Sequence, residues 1–252
     1  MRRLVVGNWK MHETAAQAGE LARVIVASLD GAQLHERDVE VVLAPPFTAL
    51  AAVRAAARES AVALGAQNMH WANAGAFTGE IAPPMLVELG VRYVIVGHSE
   101  RRRYFGETDA DVNRKVRAAL EHGLTPVVAV GETSEERASG ATDERVSAQT
   151  RAALEGIAPE RLHDIAIAYE PIWAIGTAKS CEPGEAARVM ALIRGSVAGL
   201  EHTPLLYGGS VTPANFAAYL ATQHCRGGLV GGASLDAAAF AALVRLACDK
   251  AA

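Results

Sequence analysis

Residues 165–179 read IAIAYEPIWAIGTAK and contain an apolar run, one carboxylate and a second, mostly apolar segment. Residues 165–169 form a short, continuous apolar run, which is typical of a parallel strand buried on both faces. Pro171 ends that run directly after Glu170, because proline has no N–H group to donate to a sheet. The stretch therefore predicts a buried strand that carries Glu170 at its carboxyl end.

Similar short apolar runs recur along the chain. They occupy residues 4–6, 39–43, 61–64, 93–96, 126–130, 165–169, 204–207 and 228–230. Between them lie segments with the apolar spacing of helices, such as residues 15–29, 49–58, 111–121, 185–200 and 237–247. This alternation predicts an α/β fold with right-handed crossovers in one parallel sheet. Eight units in 252 residues favour a single closed (β/α)8 barrel over an open, doubly wound sheet. Since no linker interrupts the pattern, residues 1–252 are predicted to form one domain.

The composition argues against several other classes of protein. A net charge of −4 does not favour a nucleic-acid or anionic membrane partner. No apolar run reaches the ~18 residues of a membrane span, and the apolar stretch near the start is too short for a signal peptide. Three cysteines without a C-x-x-C pattern indicate neither a disulfide framework nor a zinc site. We therefore expect a cytoplasmic protein with no metal, no nucleic-acid partner and no membrane partner.

Polar residues and glycine pairs follow directly after five of the predicted strands. They are Asn8 and Lys10 after the first strand, His98 after the fourth, Glu170 after the sixth, Gly208, Gly209 and Ser210 after the seventh, and Gly231 and Gly232 after the eighth. In a barrel all of these positions lie at the carboxyl end of the strands, where the active sites of such enzymes are found. Their convergence predicts a single site at that end.

Lys10 and His98 each have two possible roles. Lys10 is either a surface lysine or a positive charge that holds a phosphate or a developing oxyanion. A lone histidine is often structural, but Ser99 is a good helix N-cap. The N–H groups of a helix that begins there would oppose a second proton on His98 and keep its ring neutral, so that it acts as a donor.

Glu170 also has two possible roles. It is either a structural partner of the arginines at positions 101–103 or a general base beneath the apolar flap that follows it. The arginines themselves are more simply a solvated or interface face of a helix, with acidic partners at Glu107, Asp109 or Asp111. The place of Glu170 under an apolar flap favours the base.

The two glycine-rich segments and one long irregular segment complete the pattern. The glycines after the seventh and eighth strands are either plain tight turns or a phosphate site built from backbone N–H groups.

Residues 65–84 show no clear periodicity, and a loop of that length is usually functional or an interface. Phe77 between small residues favours insertion into a partner's pocket, and therefore a homodimer, over a disordered excursion.

Six motifs together resemble the triosephosphate isomerase family. In order they are GNWKM (7–11), GAFTGEI (75–81), GHSERR (97–102), AYEPIWAIGT (168–177), YGGSV (207–211) and LVGGASL (229–235). They span nearly the whole chain, and two of them, AYEPIWAIGT and GHSERR, are highly specific. The resemblance implies a TIM barrel without a cofactor that interconverts dihydroxyacetone phosphate and D-glyceraldehyde 3-phosphate through an enediolate, in glycolysis and gluconeogenesis.

The resemblance also implies roles for individual residues. Glu170 would be the base, His98 the neutral electrophile, and Lys10 and Asn8 the groups that stabilise the enediolate, while Glu100 organises the site near Lys10. The substrate would be bound by Asn8 and Lys10, and its phosphate by backbone N–H groups of Gly176, Ser210, Gly231 and Gly232. The lid would comprise Ile172, Trp173, Ala174, Ile175, Gly176, Thr177, Ala178 and Lys179. Its first hinge would be Pro171, Ile172 and Trp173, and its second hinge Lys179, Ser180 and Cys181. The dimer loop would contain Gly75, Phe77 and Thr78, with Thr78 reaching the region of Lys10 and His98 in the other subunit.

The sequence departs from the commonest family pattern at four positions. Ala178 stands where glycine is usual, and a left-handed backbone there would cost about 1 kcal/mol or more. Ala129 replaces a frequent cysteine, His12 replaces a frequent asparagine, and Cys181 in the second hinge is a possible site of oxidation. We expect modest effects, on lid kinetics more than on chemistry.

Two alternatives to the isomerase remain at this stage. One is another phosphate-binding barrel enzyme, but a Schiff-base aldolase needs a lysine where this chain has Glu170, and a metal-dependent epimerase needs more ligands than His98. The other is a non-catalytic binding or scaffold protein, against which the presence of Lys10, His98 and Glu170 together argues.

Overall fold

A computed structural model of the chain describes residues 2–177 and 179–249. Within these residues eight parallel strands form a closed barrel in the order of the sequence, with β1 paired to both β2 and β8. The strands are β1 (Arg3–Asn8), β2 (Val39–Ala44), β3 (Val62–Ala66), β4 (Val91–Val96), β5 (Thr125–Val130), β6 (Ala166–Tyr169), β7 (Leu205–Tyr207) and β8 (Cys225–Val230). The predicted (β/α)8 barrel is therefore confirmed.

Helices cover the outside of the barrel. In the described part of the chain they are α1 (Ala15–Ser28), α2 (Leu50–Ala57), α3 (Pro83–Glu88), α4 (Ser99–Phe105), α5 (Asp109–Glu121), α6 (Ser134–Ala138), α7 (Thr142–Leu154), α8 (Pro183–Ser196), α9 (Phe216–Leu220) and α10 (Ala237–Asp249). None of these helices combines the length and the hydropathy that a membrane crossing requires.

The strands are apolar on both faces because each face packs against a different part of the core. In β1, Leu4 and Val6 belong to the cluster that fills the inside of the barrel. Val5, between them, belongs to the larger cluster formed with the surrounding helices. Successive side chains of a strand point to opposite faces, so a run of apolar residues serves both layers.

Sequence prediction was wrong at some boundaries, for reasons visible in the chain. β8 begins at Cys225, three residues before the predicted start, because Arg226 and Gly227 interrupt the apolar run. The irregular segment predicted for residues 65–84 is shorter, since β3 includes Ala66 and α3 begins at Pro83. Proline is well suited to the first turn of a helix, where its missing N–H would have no partner.

Candidate functional site

The carboxyl ends of β1, β4, β6, β7 and β8 surround a cavity of about 390 Å³. Its lining includes the predicted base, histidine and lysine together with both glycine-rich turns, namely Asn8, Lys10, His98, Glu170, Gly176, Gly208, Gly209, Ser210, Gly231 and Gly232. Glu100 lies beside it, in an adjoining cavity of about 210 Å³ that Lys10 and His98 also line. The structure thus brings together the residues that the sequence placed after separate strands.

Glu170 follows β6 and is almost completely buried, with 2% of its surface exposed. Its backbone N–H donates to the carbonyl of Val130 (2.7 Å), which extends the pairing of β6 with β5 by one residue. Its carboxylate has two partners: Oε1 lies 2.9 Å from Nε2 of His98, and Oε2 accepts from the backbone N–H of Ser99 at 3.0 Å. Burial alone would raise the pKa of Glu170, but the contact with His98 and the Ser99 N–H lower it below the ordinary value. The carboxylate is therefore ionised, as a base must be.

Gly131 makes this placement of Glu170 possible. A Cβ atom on residue 131 would lie 1.7 Å from the backbone carbonyl oxygen of Glu170. Only glycine permits so close an approach between the segment after β5 and the segment after β6.

His98 is the N-cap of α4, a role that the sequence analysis gave to Ser99. Ser99 is the first helical residue, and Nδ1 of His98 accepts a hydrogen bond from the backbone N–H of Glu100 at 3.3 Å. An acceptor at Nδ1 leaves the ring proton on Nε2, which faces Glu170. Burial lowers the pKa of His98, but the charge and hydrogen bond of Glu170 outweigh it and raise the pKa above the ordinary value.

Lys10 has a left-handed backbone, with φ of 52°, which is uncommon outside glycine. Its backbone N–H donates to Oδ1 of Asn8 (3.1 Å), and its carbonyl accepts from the side-chain amide of Gln67 (2.7 Å). The same amide donates to the carbonyl of Ala44, so Gln67 ties Lys10 to the end of β2. Nζ of Lys10 then reaches Oε1 of Glu100 at 2.5 Å.

Gln67 is a supporting residue that sequence reasoning missed. It lies one residue beyond β3, so the rule that polar residues after strands face the site would have found it.

The first hinge of the predicted lid is attached to the barrel through Glu132. The indole N–H of Trp173 donates to Oε1 of Glu132 (2.8 Å), and the hydroxyl of Tyr169 donates to the same oxygen (3.1 Å). Glu132 is completely buried, and the guanidinium of Arg137 lies over the Trp173 ring at 4.6 Å. Sequence reasoning missed Glu132 and Arg137, although Glu132 follows β5 closely and the same rule applies to it.

The second hinge ends at Cys181, which is fully buried. Burial raises the pKa of its thiol to about 11. A thiol that is protonated and inaccessible is a poor target for oxidation, so the structure argues against the oxidation-sensitive role considered from the sequence. Ala178, the expected point of strain in the lid, lies outside the described residues.

The arginines of α4 have partners other than Glu170. Nε of Arg101 lies 3.7 Å from Glu107, and Arg102 pairs with Asp109 while donating from Nε to the carbonyl of Gly97 at 2.7 Å. The alternative in which Glu170 serves as their structural partner is therefore wrong.

The predicted dimer loop leaves Phe77 46% exposed, with its ring 4.1 Å from that of His70. Elsewhere on the surface, Met11 and Phe105 are 94% and 68% exposed at the rim of the cavity that contains Glu100. The apolar side chain of Phe77 and the apolar rim formed by Met11 and Phe105 are therefore both exposed on the surface of the chain.

The closed barrel, with its polar side chains gathered around one cavity at the carboxyl ends of the strands, defines a barrel enzyme. A model of the triosephosphate isomerase family matches residues 3–247. Among curated proteins, the triosephosphate isomerase of Synechococcus sp. (strain JA-3-3Ab) is 52% identical over 242 residues, which cover 96% of this chain and 93% of that protein. The triosephosphate isomerase of Chloroflexus aurantiacus is 49% identical over 247 residues, covering 96% and 97% of the two chains. The chain belongs to the triosephosphate isomerase family and is an isomerase.

Proposed function

We propose that this chain interconverts dihydroxyacetone phosphate and D-glyceraldehyde 3-phosphate by moving a proton between C1 and C2 of the substrate. The observation that carries this proposal is the meeting of Glu170, His98 and Lys10 at one cavity. Proton abstraction next to a carbonyl requires a base, a hydrogen-bond donor for the carbonyl oxygen and a positive charge for the enediolate that forms. Glu170 supplies the base, His98 the hydrogen-bond donor and Lys10 the positive charge. Membership of the family excludes the aldolase and the epimerase.

Glu170 acts as the base. Its carboxylate is held by His98 and Ser99, so it must turn toward the substrate carbon before it can accept a proton. The backbone of Glu170 is fixed by its bond to Val130, and therefore only the side chain needs to move.

His98 donates from Nε2 to the carbonyl oxygens of the substrate. Once the Glu170 carboxylate has turned away, the charge that raises the pKa of His98 is more distant. Burial of the ring and the Glu100 N–H at Nδ1 then oppose a second proton, so the ring works as a neutral donor.

Lys10 and Asn8 stabilise the negative charge of the enediolate. Glu100 holds the ammonium of Lys10 in place, and Asn8 fixes the backbone on which Lys10 stands. The phosphate is bound by backbone N–H groups of Gly176, Ser210, Gly231 and Gly232, which line the same cavity. The apolar segment from Pro171 to Cys181 closes over it and excludes water, which strengthens each charge interaction.

We further propose that the whole chain works as one domain and as a homodimer in the cytoplasm. The segment with Gly75, Phe77 and Thr78 would enter the apolar-rimmed cavity of the other subunit, next to its Lys10. Two observations support this arrangement: the exposure of Phe77, and the exposure of Met11 and Phe105 at the rim. Contact with a second subunit would cover all three side chains.

The test is a coupled assay of wild type and Glu170→Gln with D-glyceraldehyde 3-phosphate and no added metal. Product is followed as NADH oxidation by glycerol-phosphate dehydrogenase, and circular dichroism checks that both proteins are folded. Fast turnover by wild type, lost in Glu170→Gln, supports the reaction and its base. A folded wild type without turnover would overturn the proposal and favour a binding role, and an active Glu170→Gln would remove the base assignment.

A further inference from the structure

The backbone of Cys181, at the end of the second hinge, is held from both sides by two tyrosine hydroxyls. Its N–H donates to the hydroxyl of Tyr207 at 3.2 Å. Its carbonyl accepts from the hydroxyl of Tyr219 at 2.5 Å. Both tyrosines are fully buried, so neither bond is weakened by competition with water.

The two tyrosines also contact each other. Their rings are stacked, with centroids 3.8 Å apart and planes inclined by 14°. Tyr207 is the last residue of β7, and Tyr219 lies in α9. Burial raises the pKa of Tyr219, so its hydroxyl keeps the proton that it donates to Cys181. The hinge is therefore attached at one residue, Cys181, both to a strand and to a helix.

The same strand and helix also hold the glycine-rich turn after β7. A Cβ atom on Gly209 would lie 2.3 Å from the hydroxyl of Tyr207, so the turn passes directly beside the hydroxyl end of that side chain. Asn215, the N-cap of α9, donates from its side chain to the carbonyl of Ser210 at 2.9 Å. One end of α9 thus fixes the turn that is proposed to bind phosphate, and Tyr219, four residues later, fixes the hinge of the lid.

We propose that Tyr219 is a positioning residue that sets where the lid pivots relative to the phosphate-binding turn. The inference rests on the proposed lid and phosphate sites. Without the Tyr219 hydroxyl, the buried carbonyl of Cys181 loses its donor, and the hinge gains positions in which the lid does not meet the phosphate. A lid that closes less completely binds substrate less well and protects the enediolate less well.

An unprotected enediolate has a side reaction that can be measured. Its electron pair can form a new double bond to C3, the C3–O bond then breaks, and inorganic phosphate leaves with the electrons of that bond. The amount of phosphate released per isomerisation turnover therefore reports on closure of the lid, and a loss of stability alone does not change it.

The experiment compares Tyr219→Phe with wild type and with a matched control, Thr203→Val. Tyr219→Phe removes one hydroxyl and keeps the stacked ring. Thr203→Val also removes one buried hydroxyl, which donates to the backbone carbonyl of Leu162 at 2.7 Å. Thr203 precedes β7, however, and therefore lies at the end of the barrel opposite to the site. KM, kcat and released phosphate per turnover are measured well below the thermal midpoints of all three proteins.

We expect Tyr219→Phe to raise both KM and released phosphate per turnover by on the order of fivefold, the equivalent of one buried hydrogen bond. Thr203→Val should lower the thermal midpoint and leave both quantities unchanged. If Tyr219→Phe matches wild type in KM and in released phosphate, or if Thr203→Val raises them equally, the inference is wrong. A wild type that does not isomerise the substrate would instead overturn the proposed function.

Discussion

Oε1 of Glu170 lies 2.9 Å from Nε2 of His98, so the proposed base and the proposed electrophile hold each other. Both side chains are more than nine-tenths buried, and neither can adjust without breaking this contact. Substrate binding must therefore exchange one charged hydrogen bond for others. Two kinds of experiment therefore test the Glu170–His98 contact. One shortens the Glu170 side chain, and the other varies the pH to change the ionisation of the two groups.

Shortening Glu170 should abolish most of the activity while leaving the fold intact. Glu170→Asp withdraws the carboxylate by about 1 Å, and a misplacement of that size is expected to cost on the order of 10²-fold in kcat. The measurement is kcat in the coupled assay, with Glu201→Asp, at an exposed glutamate, as the control. Equal kcat in Glu170→Asp and wild type would show that the carboxylate is not the base.

The Glu170–His98 pair should also make stability depend on pH in a defined window. The pKa of Glu170 is lowered from 4.5, so its contribution to stability is present above pH 4.5 and is lost as the pH falls through the folded-state pKa. The pKa of His98 is raised from 6.5, so its contribution is present below pH 6.5 and is lost as the pH rises through the folded-state pKa. Both contributions are therefore complete between pH 4.5 and 6.5.

Urea unfolding of wild type and Glu170→Gln at a series of pH values measures this contribution. At one fixed protein concentration, the difference in unfolding free energy should be largest between pH 4.5 and 6.5 and should decline on both sides. Glu201→Gln serves as the control and should give a difference that is small at every pH. A difference for Glu170→Gln that grows steadily toward alkaline pH would contradict the pairing.

The close approach of Gly131 to Glu170 predicts that a single methyl group disturbs both stability and catalysis. Gly131→Ala must push the carbonyl of Glu170 away, and we expect a loss of about 1–3 kcal/mol of stability and a large fall in kcat. Gly195→Ala is the matched control, because Gly195 lies within α8 with no atom within 4 Å of the added methyl. That control should gain about 0.4–1 kcal/mol and keep its activity. Normal kcat in Gly131→Ala would mean that the position of Glu170 tolerates displacement.

The proposed subunit contact predicts that a charge on Phe77 favours monomers. Phe77→Asp should shift the protein to the monomer in sedimentation experiments and lower its activity, because a carboxylate is costly in an apolar pocket. Val24→Asp, at a valine of comparable exposure (44%) on α1, controls for the added charge. A fully active Phe77→Asp monomer would show that catalysis does not depend on the subunit contact.

The order and class of the elements could be predicted from the sequence because parallel strands are apolar on both faces. The positions of Glu170, His98 and Lys10 followed from one rule, that residues after the strands of a barrel meet at one end. Helices that carry few apolar residues escaped prediction, as in α7, where polar and charged side chains interrupt the pattern.

The finer organisation of the site could not be predicted because it depends on contacts between distant segments. The strand-end rule places Gln67 near the site, but nothing local to Gln67 indicates that its amide holds the carbonyl of Lys10, 57 residues away in the chain. The cap of α4 was assigned to Ser99 from its residue type, whereas the fold places the His98 imidazole over the Glu100 N–H. Tyr219 resembles an ordinary core residue until its hydroxyl is seen at the hinge.

The pairing of β1 with β8 has a consequence for how the protein is made on the ribosome. Leu4 pairs with Gly227, and the guanidinium of Arg3 reaches the carbonyl of Ala247, 244 residues further along the chain. At ordinary synthesis rates β1 waits roughly 10 to 50 s for its last neighbour to be translated. Until then the first strand has an unpaired edge, and Lys10 and Gly231 belong to no common cavity. A nascent chain that stops short of β8 therefore exposes an unpaired strand edge, which can pair with other chains, and it has no catalytic site. The late part of translation is thus the period in which chaperones would matter most.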